Sequence, residues 1–555
     1  MSKIPFEAGF VASRRGFLKR SLGLGIGGLV AGCGRTVVGA SVEQSAAAPG
    51  SGSGAGSSSP TDPTQPTNPP TDPTPPTNPP TDPPTNPPAN PPTDPPALPN
   101  PQPAPSGSVA QVTATVTSNV VGPIDSTFAG FSFEKGELVS RIFSLRDPNV
   151  LTLFKALGPG VIRIGGSSSD VITWTPGGSG RTGGQISKVD IDSFASFVRA
   201  SGWQVIYGIN LATNTPAQAA EEAAYVANAL GSSLYCFELG NEPDLYTNVF
   251  TAPDGSKIWN YAKFKSQWDL LSNAILARVG NATFAGPDAA NNLATYAVPF
   301  ARDTGAARLK ILTQHHYRIH DRDPKTINFL LVTPDPVLTA GAPGVEPARL
   351  PTLKSAALAA GVPFRITEAN SATNGGAAGV SDVYASALWA LDFMFTVALG
   401  GARGVHFHGG DTAKYSPFNF GSEKVTEIKP LYYALLFFSK LGQGALLRST
   451  VDSGGLNLSV YAIKTSSGVS VLFVNKEVSQ SFKVALQLPA SASAVTAIQL
   501  AGPGLTSTMG IEIQGASISL STGLGTMAPA YTLPVSSSGA TVYVPALTAV
   551  LVKAS

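Results

Sequence analysis

The run "QVIYGINLATNTPAQAAEEAAYVANALGSSLYCFELGNEP", residues 204–243, holds a strand, a helix and a second strand in succession. Apolar, β-branched and aromatic residues fill 204–209 and 234–239, which is the length of a buried strand. Between them "NTPAQAAEEAAYVANAL" (214–230) opens with Asn and Thr just before Pro216. Proline is tolerated in a helix's first turn, where its missing amide costs nothing. The second strand stops on Asn241, Glu242 and Pro243, with a further acid at Asp244. Asp244 reads as a turn or cap residue.

The same unit recurs along the chain. Strand-like runs are "FAGFSFE", "GVIRIGG", "QVIYGIN", "LYCFELGNE", "ATFAGPD", "KILTQHHY", "PFRITEA" and "GVHFHGG". Helical stretches lie between them, among them "SDVYASALWALDFMFTVAL" (381–399), apolar enough to be buried, and a final "KPLYYALLFFSKL" (429–441). Strands alternating with helices in eight pairs predict an α/β fold, a (β/α)8 TIM barrel over residues 123–440. In that fold the functional site lies at the C-terminal ends of the strands. Polar residues stand at those ends here: Glu134, Ser167, Asn210, Asn241, Glu242, Asp288, His315, His316, Tyr317, Glu368 and His408.

The flanks read differently. Residues 441–555 alternate in short runs such as "LNLSVYAIKT" and "VSVLFVNK", predicting a C-terminal antiparallel β-sandwich. "VAQVTATVTSNVV" (109–121) has the same character, so residues 108–122 are expected to add a strand to that sandwich. Residues 34–107 are a Ser/Gly/Ala tract followed by a Pro-Thr-Asp-Pro quasi-repeat with no apolar face to bury, and read as a disordered linker. In polyproline II, at about 3.1 Å per residue, its proline-rich part could reach on the order of 100 Å. Residues 1–33 read as an address. "SRRGFLK" (13–19) and the short apolar run after it resemble a twin-arginine export signal, and "VAGC" resembles a lipobox with Cys33 as the lipidated residue. The expected location is periplasmic or cell-surface. Membrane contact is expected only through that lipid anchor.

A formal charge of +2 on 555 residues, with 13% charged side chains, gives no electrostatic reason to expect nucleic acid as a partner. Two cysteines, Cys33 and Cys236, do not make a disulfide framework, and Cys236 inside a strand reads as a small core residue. His315 and His316 are adjacent on a strand and point to opposite faces. With no acid or cysteine at metal spacing beside them, no metal and no cofactor are expected.

Glu242 and Glu368 are the acids that matter most. They lie 126 residues apart yet end the fourth and seventh strands, and so face one barrel mouth. Two carboxyls across one cleft are what glycoside hydrolysis requires, one protonated to donate and one ionised to attack. Asn241, beside the first of them, can hold a sugar hydroxyl.

"ELGNEP" with a later strand-seven glutamate resembles the retaining glycoside hydrolases of clan A. From about Ser108 onward the chain more closely resembles glycoside hydrolase family 79, the β-glucuronidase and heparanase family. The motifs are "VIRIGGSSSD", "FELGNEPDLY", "QHHY", "HFHGGDTAKYSPF" and the helix after it. The resemblance implies Glu242 as acid/base, Glu368 as nucleophile, Asn241 on the substrate 2-hydroxyl and Tyr317 positioning Glu368. It further implies Tyr415, with the backbone around Gly409 and Gly410, on the uronate carboxylate. Heparanase reads Gly-x-Tyr there, whereas four residues separate Gly410 from Tyr415 here, and Lys414 in that insertion could supply a cation. Glu134 and Ser167 are expected to line the sugar pocket. The implied partner is a glucuronide or a uronate-containing oligosaccharide, cut by an exo-β-glucuronidase. An endo-acting, heparanase-like enzyme and a non-catalytic surface glycan-binding protein are the alternatives.

Overall fold

The computed structural model describes residues 100–246, 258–341, 347–421 and 423–555. Cys33, the export motif and residues 34–99 of the expected linker lie outside them. Among the described residues no helix is long and apolar enough to cross a membrane.

Eight strands close into a parallel barrel: Ala129–Glu134, Val161–Gly165, Gln204–Ile209, Leu234–Leu239, Phe284–Ala289, Leu309–Ile319, Phe364–Ala372 and Val405–His408. The last closes on the first, with Phe407 opposite Phe131. The (β/α)8 reading of the sequence therefore holds. Val161, Ile206, Cys236, Ala285 and Ile311 form one buried apolar cluster on five of the strands. Cys236 is a free, buried thiol whose pKa is pushed up by burial, as suits a core residue.

Local chemistry sets the helices. In Pro216–Leu230 the Thr215 side chain accepts from the Gln218 amide while Gln218 reaches back to the Thr215 amide, a capping box ahead of Pro216. Ala219, Ala220, Ala223 and Val226 form its buried face, so a small-residue stripe lets the helix lie close to the strands. Helix Tyr384–Leu399 is buried on nearly every side. Its outward face is covered by the C-terminal region: Tyr461 stacks on Phe395 at 4.4 Å, and Asp392 pairs with the buried Lys476. A helix apolar all round needs such a second cover.

The C-terminal region is rich in β-structure, but its topology is not that of two purely antiparallel sheets. Most of its strands form one continuous hydrogen-bonded path around a second core that includes Val116, Val460, Phe473, Val484 and Val552. Strand Ser108–Ile124 sits in the middle of the path. It pairs antiparallel with Gly444–Val451 and parallel with Gln480–Gln487. Two register shifts bend it, so one long strand serves the path from Ser108 to the barrel entrance. The small parallel ladder Thr173–Trp174 with Gln185–Ile186, and the hairpin Phe418–Gly421 with Lys424–Ile428, had no counterpart in the sequence reading.

The linker boundary at 107 is corrected as well. Asn100 donates to the carbonyls of Pro529 and Ala530 at 3.0 and 3.1 Å. Gln102 clamps Tyr543 by accepting from its amide and donating to its carbonyl, both at 2.8 Å. Side-chain amides supply the bonds that neighbouring prolines cannot donate. A chain beginning at Ser108 should therefore melt lower than one beginning at Asn100, by about 2–4 °C for bonds of about 1 kcal/mol each. Scanning calorimetry of the two truncations checks this, and equal melting temperatures would refute it.

Candidate active site

The site is built around Arg163, in the middle of the second barrel strand and wholly buried. Its Nε donates to Glu238 at 2.6 Å, and its Nη1 donates to Glu368 at 2.7 Å and Ser132 at 2.9 Å. Its Nη2 donates to Asn241 Oδ1 at 2.9 Å and to Asp288. Gly165 leaves room for this guanidinium, which a Cβ at that position would strike.

Glu242 follows strand four after Gly240 and Asn241. Its backbone is left-handed, φ 49° and ψ 53°, an uncommon state for a residue with a Cβ. The conformation is held because the Glu242 amide donates to the Asp288 carbonyl at 2.9 Å and its own carbonyl accepts from Leu245. Pro243 starts a short 3-10 turn, and its carbonyl accepts from Trp259 at 2.6 Å. Asp244 caps the loop after strand five, accepting from the amides of Ala290, Asn291 and Asn292.

Glu242 and Glu368 meet at the barrel mouth. With His315 they form a group whose facing ligand atoms, one per residue, all lie within 4.8 Å of one another. His315 Nδ1 is 3.1 Å from Glu242 and 3.9 Å from Glu368. Its Nε2 is 2.8 Å from Asp288 Oδ1, an ion-pair distance without hydrogen-bond alignment. This corrects the expectation that no acid stands beside the histidines: the carboxylates come from other strands. Burial opposes the His315 imidazolium, but Asp288, Glu368 and Glu242 outweigh it and hold its pKa well above the ordinary value. A protonated imidazole offers no lone pair to a metal. His316 faces away and contacts Asp335 at 2.8 Å.

The two glutamates are pushed in opposite directions. Burial raises the Glu242 pKa above 4.5, reinforced by the charges of Glu368 and Asp244 and opposed by His315. Burial also acts to raise Glu368, but His408, His315 and Arg163 prevail and lower it to about 2. Tyr317 donates to Glu368 Oε1 at 2.9 Å while Arg163 holds Oε2, so the carboxylate is fixed at both oxygens. An acid and a carboxylate this close suit the retaining geometry of about 5–5.5 Å, not the ~6.5–9.5 Å of inverting pairs.

The other expected residues divide. Asn241 is buried, and its oxygen is taken by Arg163, which turns its NH2 group the other way. Glu134 accepts from the amides of Ser167 and Ser168 and lies 3.8 Å from His408. A Cβ at Gly166 would run into the Glu134 carboxyl, so that glycine makes the approach possible. Ser167 is exposed and contributes this amide. Tyr415 is buried, with its ring 6.0 Å from those of Tyr317 and His408. Asn370 holds the Tyr415 and His408 carbonyls. Three expected residues already have protein partners. The Gly409 amide is spent on the Ser132 carbonyl and the Gly410 amide on Ser416 Oγ, so strand closure and the loop turn use both donors. Lys414 is 51% exposed, 4.0 Å from Asp382, and makes a solvated surface pair.

Arg163, Glu238 and the link from Asp288 to His315 were missed in the sequence. Their signal was a charge inside an otherwise apolar strand, "VIRIG" and "YCFEL", where only a buried partner makes such a residue tolerable.

No protein-family model matches the chain. It is 26% identical over 283 residues to a protein of Aspergillus niger, covering 46% of this chain and 51% of that one. It is 26% identical over 234 residues to a protein of Neurospora crassa, covering 39% of each. Both relatives are β-glucuronidases. The chain thus spans about half, or less, of the length of the curated relatives it matches. Among solved structures, a 4-O-α-L-rhamnosyl-β-D-glucuronidase of Fusarium oxysporum shares the fold. The TM-score is 0.66 at 20% identity, over 80% of this chain and 99% of that one. A family 51 arabinofuranosidase of Xanthomonas axonopodis shares it at TM-score 0.60 and 15% identity, over 80% and 100%.

Replacing Arg163 by Met strands three buried acids. Destabilisation of about 3–5 kcal/mol is expected, measured as a lower denaturant midpoint at pH 7. The difference should shrink as pH falls toward 2. Glu368, whose pKa is depressed, contributes stability above the ordinary carboxylate range and loses it on protonation. A variant as stable as the parent at pH 7 would overturn this account.

Proposed function

We propose that this chain is a retaining β-glucuronidase that removes β-linked glucuronic acid from glycans or glycosides. The observation that carries the reading is the Glu242–Glu368 pair: two carboxyls at one barrel mouth, the pKa of the first raised by burial and that of the second lowered by the cations around it. The β-glucuronidase relatives support the sugar class.

In this reading Glu368 attacks the anomeric carbon while Glu242 donates its proton to the glycosidic oxygen, and the aglycone leaves. Tyr317 and Arg163 keep the attacking carboxylate aimed. The Asn241 NH2 group, its oxygen already engaged, is presented to the 2-hydroxyl. Once Glu368 is esterified its negative charge is gone, and with it one of the influences that raised Glu242. Glu242 then becomes the better base for the water that releases glucuronic acid with its configuration retained. Tyr415 is the donor assigned to the sugar carboxylate. The donor set there is smaller than the family pattern implies, because the Gly409 and Gly410 amides are engaged. Export by the twin-arginine route and lipidation at Cys33 belong to the same proposal. They place the enzyme at a cell surface or in the periplasm, and loss of fatty-acid labelling in Cys33→Ala tests the anchor.

A panel of aryl β-glycosides tests the activity. kcat/KM for the glucuronide should exceed that for the glucoside on the order of 10³-fold, because the neutral sugar leaves the carboxylate site unpaired. Tyr415→Phe should cost the glucuronide about tenfold more than the glucoside. Equal values on the two sugars would sink the carboxylate reading. With Glu242 needed as the acid and Glu368 as the anion, kcat/KM should fall as pH rises through the elevated Glu242 pKa, and at the acid end near 2. Release of the α-anomer first, seen by proton NMR, would contradict retention.

A further inference from the structure

Asp288 is the penultimate residue of the fifth barrel strand, wholly buried, at φ 60°. We propose that it is a positioning residue for the reaction, its carboxylate tying Glu242 and Glu368 together through His315 and Arg163. The proposal rests on the glycosidase reading for its kinetic consequences, and on geometry for the link itself.

Each path is one residue long. Oδ1 of Asp288 faces His315 Nε2 at 2.8 Å, and the other nitrogen of that ring lies 3.1 Å from Glu242. Oδ2 accepts from Arg163 Nη2, and Nη1 of the same guanidinium donates to Glu368 at 2.7 Å. A third connection runs through the backbone, where the carbonyl of Asp288 accepts a hydrogen bond from the Glu242 amide at 2.9 Å. The residue is itself pinned, its amide donating to Thr313 Oγ1 at 2.9 Å and Oδ1 accepting from Thr367 Oγ1 at 2.6 Å. A planar guanidinium and an imidazole are each oriented by the group at their far side. Asp288 is that far-side group for both.

The charged and titratable neighbours come from every adjoining strand. Arg163 stands on strand two, Glu238 on strand four with Glu242 just after it, His315 on strand six, Glu368 on strand seven and His406 on strand eight. Burial and Arg365 push the His406 pKa well below the ordinary value, and burial chiefly, with the Asp288 charge and against Arg163, raises that of Glu238. Taking the charge from Asp288 therefore leaves Arg163 and His315 with one acceptor fewer between them. The His315 pKa then falls, Glu242 has less positive charge beside it, and Glu242 holds its own proton more tightly.

The test is Asp288→Asn, which keeps the shape and removes the charge, beside Thr367→Val, which keeps the charge and removes one bond onto it. On an aryl β-glucuronide, Asp288→Asn should lower kcat about 10²-fold with KM within about threefold. The loss should be greater for phenyl than for dinitrophenyl leaving groups, and the alkaline limb should move to higher pH. Thr367→Val should show the same pattern at about fivefold. Carbon-13 NMR titration of labelled glutamate carboxyls, with Glu242 assigned by Glu242→Gln, reads the link without substrate, and the Glu242 pKa should rise in Asp288→Asn. An unchanged titration and kcat in a folded Asp288→Asn would overturn the proposal. If that variant does not fold, a Thr367→Val enzyme with parental kcat and pH profile would do so. A parent that hydrolyses no aryl glycoside would defeat the glucuronidase reading instead, and the titration would still decide the role of Asp288.

Discussion

The arrangement depends on one buried cation. Arg163 is removed from water altogether, and isolated burial of a guanidinium would be prohibitive. It is tolerated because its donors are met by three acids, an amide oxygen and a hydroxyl arriving from four other strand ends. A lysine offers a point charge and could not meet that fan of acceptors. Because those acceptors include Asn241 and Glu368, the interaction that makes the barrel interior viable also sets the geometry of the mouth. Stability and site are thus the same set of contacts, and neither can be altered alone.

From that centre the two glutamates diverge. Both are largely buried, with side chains 18% and 9% exposed, so burial pushes both toward the neutral form. Position decides the outcome. Glu368 lies against Arg163, with His315 and His408 near, and stays ionised. Glu242 has His315 as its cationic neighbour and feels the negative charge of Glu368 across the cleft. The left-handed backbone at Glu242 is part of the same arrangement, because it turns the side chain back over the mouth while the amide reaches Asp288. A strained conformation of this kind persists where surrounding contacts over-determine it.

The C-terminal region contributes at a distance. It covers the helix that follows strand seven, with Tyr384 donating to the carbonyls of Leu500 and Leu547, and with Asp392 held by Lys476 and Tyr461. Strand seven carries Glu368, and strand eight leads into the loop with Tyr415. The barrel would expose the apolar outer face of that helix without this cover. Such an interface leaves little freedom for the strands beneath it.

Much of this was legible in the residues themselves. Eight apolar runs of strand length with helical stretches between them specify the barrel, because burial on both faces and the 3.6-residue period are local properties of the chain. Glu242 and Glu368 stood out for the same reason, as acids where an apolar run ends. The partners of Gly409, Gly410 and Lys414 and the true linker boundary were not legible, since a donor's availability depends on which carbonyl or carboxylate stands opposite it. Arg163 and Glu238 were visible only as charges out of place, and nothing near either in sequence names its partner. The sequence by itself determined the elements, their order and the end of the barrel that carries the acids. Only the tertiary structure decided which charges neutralise one another, because Arg163, Glu238, Asp288, His315 and Glu368 come from five strands spread over 205 residues and meet only when the barrel closes.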